Sequence, residues 1–248
     1  AIEDGYVIRI KTTPFGYGKV VYQKLIDGRI AVYAHNDKFN SQLEKIVFNE
    51  QKKQNKYSIE RYFPENEVKI QKGEIIAYAG RKGTIHPHLH FELRDSDNCP
   101  VNPFHYGFKD YIIDHTPPVL AEILLVPLTA GSMINYDWEA KRMKESEWNK
   151  ISLTGNIGIE ARFYDRADFF PNVLNVYEIL VFLDDSLIYE NKYDKICFKE
   201  NNRIDYEYNR KMMNEKGVRF FRLYDFPLLN KGGIIRTNEI RQGYHEIK

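Results

Sequence analysis

A chain of 248 residues has room for one large domain or two ordinary ones, each with its own hydrophobic core. Its 36 basic and 35 acidic residues leave a net charge of +1, with no basic stripe and no acidic tail, which argues against a nucleic-acid binder. The longest apolar run, Val119 to Leu128, is interrupted by Glu122 and Pro127 and falls far short of a membrane-spanning helix.

The 18 Tyr and 15 Phe favour β-rich structure, either as ordinary sheet residues or as a surface facing carbohydrate or peptide. In chain order, no signal peptide is visible, and Ala1 already precedes strand-like sequence, Tyr6 to Ile10. The start therefore reads as the middle of a longer protein, with a lost leader left open. Lys19 to Ile26 and Arg29 to His35 flank Asp27-Gly28, which predicts a two-residue type I′ hairpin and puts His35 at a strand end. Phe39, Leu43, Ile46 and Val47 then recur at helical spacing among Glu44, Glu50, Lys52 and Lys53. This is a surface helix inserted between strands, either covering an open sheet edge or walling a site.

Two extended segments follow, Glu67 to Ile70 and Glu74 to Tyr78, punctuated by Lys72-Gly73. Gly80 and Gly83 bracket a loop that leads into His86-Pro87-His88-Leu89-His90-Phe91-Glu92, predicted as a strand running on through Leu93. Pro100 to Phe104 closes a first domain of residues 1–110, and Asp114-His115-Thr116-Pro117-Pro118 makes a stiff linker within 111–118. Beyond it, Val119 to Leu128, Ile151 to Tyr164, Val176 to Leu183 and Leu187 to Tyr189 predict a β-sandwich-like domain over 119–248. Its last two strands are joined through Asp184-Asp185-Ser186. Asn201 to Lys216 reads as partly helical, and the chain stops in strand-like sequence that looks cut. Cys99 and Cys197 are far apart, stand at no metal-finger spacing and are not expected to pair, so they fix no redox compartment.

Three of the seven histidines fall within five positions, at every second residue. On a strand, alternate side chains share a face, so His88 and His90 can meet around one metal ion or one reacting bond. Neutral imidazole is the commonest zinc ligand, and a catalytic zinc keeps three protein ligands and a water. His35, ending a neighbouring strand, is the natural third imidazole. Its plainer role would be a strand-end histidine bonded to backbone. H-x-H alone is shared by carbonic anhydrases, cupins and several hydrolases.

The wider string resembles the lysostaphin-type (LytM-type) zinc metallopeptidases, which cut the peptide cross-links of bacterial peptidoglycan. Ile2 to Val7 is similar to the family's "a-x-x-d-G-x-V" strand and Gly16 to Val21 to its "G-x-G-n-x-V" segment. Tyr33-Ala34-His35 matches "Y-a-H", Val68 to Gly80 matches "V-x-x-G-x-x-I-a-x-x-G", Pro87 to Glu92 matches "P-H-L-H-F-E" and Val101-Asn102-Pro103 matches "v-n-P". The pieces keep the family's order and cover residues 1 to about 108.

The resemblance implies a mainly β fold, a lysostaphin-type antiparallel sheet or barrel-like peptidase domain with an inserted helix. It implies Zn2+ with His90 as one ligand, and His35 and His88 as catalytic histidines. The family's remaining His and Asp ligands, spaced H-x-x-x-D, are expected upstream of Ala1. The chain as given is thus expected to bind zinc weakly or not at all and to be inactive alone. The loop from Gly80 to Pro87 is shorter than the family's and carries Ile85-His86, so His86 reads as an accidental neighbour. Asn36 stands where the family often has Leu. The inserted helix and the second domain resemble an envelope-associated branch seen in Bacteroidetes-like bacteria.

The implied function is hydrolysis of peptidoglycan stem-peptide cross-links in the periplasm, in the cell envelope or after secretion. Partners would be the stem peptides, and envelope proteins through 119–248. The competing class is a catalytically degenerate family member that binds the cell wall or regulates other hydrolases. A lipoyl-like carrier, suggested by Val68 to Gly80, leaves the histidines without a role.

Overall fold

The computed structural model is mainly β, with several antiparallel sheets and few helices. It describes residues 1–147, 150–169, 172–225 and 232–248. Two compact units result. The first comprises Ala1–Lys109 with Lys195–Cys197, the second Asp110–Asp194 with Phe198–Lys248. Among the described residues no helix is long and apolar enough to cross a membrane.

The first unit is built from β1 (Gly5–Thr12), β2 (Lys19–Leu25), β3 (Ile30–Phe39), α1 (Ser41–Gln54), β4 (Ile59–Tyr62), β5 (Lys69–Ile70), β6 (Ala77–Ala79), β7 (His90–Arg94) and β8 (Pro100–Val101). One sheet runs β4-β1-β2-β3-β7-β8, with β5 added to β1 and β6 to β3. Every pairing in it is antiparallel. The central strands bury apolar residues on both faces. Val21, Ala31 and Tyr33 join the main core with Val7, Ile10 and Leu93, while Val20, Tyr22, Ile30, Val32 and Ala34 form a second cluster on the other side. Alternation along β2 and β3 sends neighbouring residues to opposite faces, which is why both clusters draw on the same strands.

The helix between His35 and Val68 forms at Ser41–Gln54, after Asn40, whose side chain accepts a hydrogen bond from the Leu43 N–H. Asn55, in the left-handed conformation, ends it. Leu43 and Val47 are fully buried in the main core. Burial of each such side chain contributes roughly 1.5–3 kcal/mol, so α1 packs as a core element, not as a movable wall. Phe39 belongs to β3, ahead of the helix.

Three local expectations are corrected. The Asp27-Gly28 turn is not type I′, which needs positive φ at both residues. Only Gly28 has it, at 89°, and Leu25 and Arg29 close a longer loop through a bond from the Leu25 N–H to the Arg29 carbonyl. The histidine strand begins at His90, and His86 lies exposed in a bend before it. Pro87 has no N–H to give a ladder and Gly83 turns the chain at φ 83°, so the strand cannot run back through them.

The third correction concerns the cysteines. Cys99 and Cys197 form a disulfide with their Cα atoms 4.5 Å apart. Lys195–Cys197 belongs to the first unit: Lys195 bridges Val101, the Ile196 N–H donates to the Pro100 carbonyl at 2.9 Å, and Lys195 pairs with Asp95. Sequence separation hid the pairing, because the partner tripeptide returns from the middle of the second unit's sequence.

The second unit contains β9 (Val119–Pro127), β10 (Met133–Ile134), β11 (Lys141–Lys144), β12 (Leu153–Thr154), β13 (Asn156–Tyr164), β14 (Glu178–Leu183), β15 (Ser186–Lys192), β16 (Phe221–Arg222) and β17 (Ile234–Arg236), with short helices α2 (Ile204–Glu207) and α3 (Arg210–Lys216). Its main sheet is β11-β9-β13-β16, with β17 also on β13. The hairpin β14–β15 turns at Asp184 and Asp185, and its Val181 shares a core with Leu125, Ile157 and Ile159 of that sheet. Gly155, at φ 79°, splits the Ile151 to Tyr164 stretch into two strands. The Asp114 to Pro118 stretch is tied down by Asp168, which accepts from the backbone of His115 and from Thr116.

Candidate functional site

The histidines meet where β3 changes partners. Up to Ala34, opposite His90, β3 pairs with β7; from Asn36, opposite Ala79, it pairs with β6. His35 occupies the change and takes φ 59°, a left-handed conformation that costs a non-glycine residue roughly 1–3 kcal/mol. Its neighbours hold it there. The His35 N–H donates to the Tyr17 carbonyl at 3.0 Å and its carbonyl accepts from the Gly80 N–H at 3.1 Å. Asn36 is buried beside it and donates to the carbonyls of Lys19 and Tyr33. A leucine there could satisfy neither carbonyl, so Asn36 stabilises the bend.

Three imidazoles come together at this point. The His35 ring lies 4.8 Å from the His88 ring and 5.5 Å from the His90 ring, centroid to centroid. His88 forms an isolated bridge with Gly80, while His90 opens β7. His35 is buried, His90 partly so, and His88 exposed. His35 Nδ1 lies 3.0 Å from the Lys82 carbonyl oxygen and His88 Nδ1 lies 2.9 Å from that of His86. His86 thus supplies its carbonyl, and its own ring is not brought into the cluster.

Glu92 and its partners were not singled out from the sequence. His90, Glu92 and Arg94 stand at alternate positions of β7 and share a face, whereas Phe91 and Leu93 point to the core. Glu92 Oε1 accepts from the Tyr17 hydroxyl and lies 2.6 Å from His90 Nε2, and Oε2 takes Arg94 Nε at 2.7 Å. Burial disfavours the charged form, yet the bonds from His90 and Tyr17 and the charge of Arg94 hold the Glu92 pKa at about 2. Tyr17 moves the other way: burial and the adjoining carboxylate push its hydroxyl up to about 12. Glu92 is therefore an anion and Tyr17 a neutral donor at neutral pH. The i, i+2, i+4 spacing of His90, Glu92 and Arg94 was the available signal.

The turn at Gly16–Gly18 packs against the loop that carries Lys82. A Cβ on Gly18, at φ 61°, would fall 1.9 Å from the Lys82 carbonyl oxygen. Gly18→Ala is thus expected to lose about 1–2 kcal/mol from conformation alone, with a further loss from displacing Lys82. Gly28→Ala, also at positive φ but with nothing near its Cβ, isolates the conformational part. Urea denaturation should show the larger loss in Gly18→Ala, and only that variant should shift the His35 ring resonances. Equal losses with an unshifted His35 would show that the close approach does not support the site.

A zinc ligand commonly gives its second ring nitrogen to a carboxylate, and His90 meets that requirement through Glu92. His90 therefore fits one ligand position. Among the described residues no group of three His, Cys, Asp or Glu side chains is placed to hold a metal ion. A cavity of about 880 Å³ lies elsewhere, in the second unit, walled by Ile123, Leu125, Met143, Ile159 and Ile235. Lys150, Arg241, His245 and Glu246 also line it, and none of the clustered histidines does. Comparison with protein-family models, with curated proteins and with solved structures gave no match.

Proposed function

We propose that this chain is a zinc metalloendopeptidase of the lysostaphin type, hydrolysing peptide cross-links of bacterial peptidoglycan. His35 and His88 are its catalytic histidines and His90 is one metal ligand. One observation carries the reading: His35 and His88, remote in sequence, lie ring to ring beside His90 at a strained bend of the sheet. The ordered motifs in residues 1 to about 108 supply the reaction class.

Bound zinc would supply a Lewis acid and a water with a pKa near 7, and would need donors besides His90. The remaining chemistry belongs to the two other imidazoles. A carbonyl oxygen only accepts, so Nδ1 carries the proton in both His35 and His88. Each neutral ring then presents an unprotonated Nε2, which can take a proton from an attacking water. Once protonated, the same atom donates, either to the oxyanion of a tetrahedral intermediate or to the departing amine. Two such rings in contact divide these tasks between them.

The Cys99–Cys197 disulfide supports a periplasmic, envelope or secreted location, because such bonds persist in oxidising compartments. The second unit would serve envelope protein partners. Metal removal is the test. The intact, zinc-loaded protein should release soluble peptides and new amino termini from purified sacculi. A chelator should stop this release and added zinc should restore it. Release that survives complete metal removal would rule out the zinc mechanism.

A further inference from the structure

The geometry points to Glu92 as a positioning residue for His90: its carboxylate, oriented by Arg94 and Tyr17, fixes the ring proton on Nε2 and leaves Nδ1 bare. An ionised carboxylate accepts hydrogen bonds and donates none, so the 2.6 Å contact with Glu92 Oε1 requires Nε2 to carry the hydrogen. Nδ1 of His90 has no hydrogen-bond partner among the described residues and keeps its lone pair. His35 and His88 have the opposite arrangement, with Nδ1 on a carbonyl and Nε2 presented. Neighbouring rings in one cluster are thus held in different tautomers by different acceptors.

The carboxylate cannot turn to release its hold. Arg94 is 4% exposed at its side chain, grips Oε2 and donates from Nη1 to Asn98 Oδ1 at 3.0 Å. Its Nη2 reaches the Tyr17 hydroxyl at 3.2 Å, which aims that hydroxyl at Oε1. Arg94 offers only donors, so an oxygen must face it. This makes Glu92→Gln an isosteric inverter. The amide oxygen is forced towards Arg94, the NH2 group is left facing His90 Nε2, and that nitrogen must become the acceptor. The ring proton then moves to Nδ1, the atom that a metal would use. Asparagine in place of a histidine-orienting aspartate causes the same reversal in serine-protease triads.

The use of the bare Nδ1 rests on the proposed metal role of His90, whereas the tautomer itself does not. The measurement is a long-range nitrogen–proton NMR correlation of the histidine rings on the full chain, at about pH 8.5, roughly two units above the ordinary imidazole pKa. The wild type should show His90 as Nε2–H, Glu92→Gln should show it as Nδ1–H, and Tyr17→Phe should leave it as Nε2–H. Zinc affinity of the intact protein should fall roughly 10- to 100-fold in Glu92→Gln. A wild-type His90 with its proton on Nδ1, or shared between the nitrogens, overturns the inference. So does a Glu92→Gln variant that keeps Nε2–H, or a Tyr17→Phe variant that loses it. If Glu92→Gln does not fold, the wild-type and Tyr17→Phe spectra still decide. Tautomers as stated with zinc affinity unchanged in Glu92→Gln would uphold the positioning role and reject His90 as a ligand.

Discussion

His88→Ala in the intact, zinc-loaded protein is expected to lower the rate of stem-peptide cleavage roughly a hundred- to ten-thousand-fold. His88 is exposed and absent from every core cluster, so its truncation leaves the sheet unaltered. Zinc content should stay at the wild-type value, because His90 and Glu92 are untouched, and the loss should fall on kcat with little change in KM. The variant removes the exposed half of a two-ring arrangement and leaves His35, on the Lys82 carbonyl, without the imidazole 4.8 Å away. His35→Ala should cost at least as much activity but is the less clean test. That position combines burial with φ 59°, so part of its effect would come from the fold. Cleavage by His88→Ala within about tenfold of the wild-type rate, below the usual range for proton transfer, would remove it from the mechanism.

Replacing both cysteines by alanine is expected to destabilise the first unit by about 4–5 kcal/mol, the loop-closure value for a cross-link spanning roughly 100 residues. The two sulfurs join positions separated by 98 residues. Without that bond, the non-covalent ties of Lys195–Cys197 to the first unit include its bridge to Val101, the bond from Ile196 to Pro100 and the Lys195–Asp95 pair. The partly exposed Lys195–Asp95 pair contributes about 0–1 kcal/mol, well below the value of the covalent tie. At about 4 °C per kcal/mol for a unit of this size, the first unit's thermal transition should fall by roughly 16–20 °C. Reductant should lower the wild-type transition similarly and leave the double variant unmoved. A wild-type transition indifferent to reductant would show that the cross-link adds no stability.

Much of the first unit could be read from residue order. The spacing of Leu43, Ile46 and Val47 announced α1, the extended runs flanking Asp27-Gly28 announced β2 and β3, and the alternate histidines announced β7. His35, His88 and His90 were legible as a set because their residue type is rare elsewhere in the chain. Less legible was anything that depends on non-local pairing. The exchange of β6 for β7 at His35 is a property of three strands at once, and no single segment encodes it. The Cys99–Cys197 bond depends on a tripeptide that rejoins the first unit after a long excursion. Glu92 escaped notice for another reason. It sat in plain view two residues after His90, but its value depends on Tyr17 reaching it from the turn between β1 and β2, with Arg94 beside it on β7.

Mass spectrometry of a defined cross-linked muropeptide dimer, incubated with the intact zinc-loaded protein, tests the central claim most directly. The account predicts conversion to two monomers whose summed mass exceeds that of the dimer by one water. Conversion should be lost in His88→Ala and on chelation. A dimer recovered whole from a zinc-loaded wild-type protein that nevertheless binds it would contradict the claim, and would identify the chain as a cell-wall-binding member of its class without hydrolytic activity.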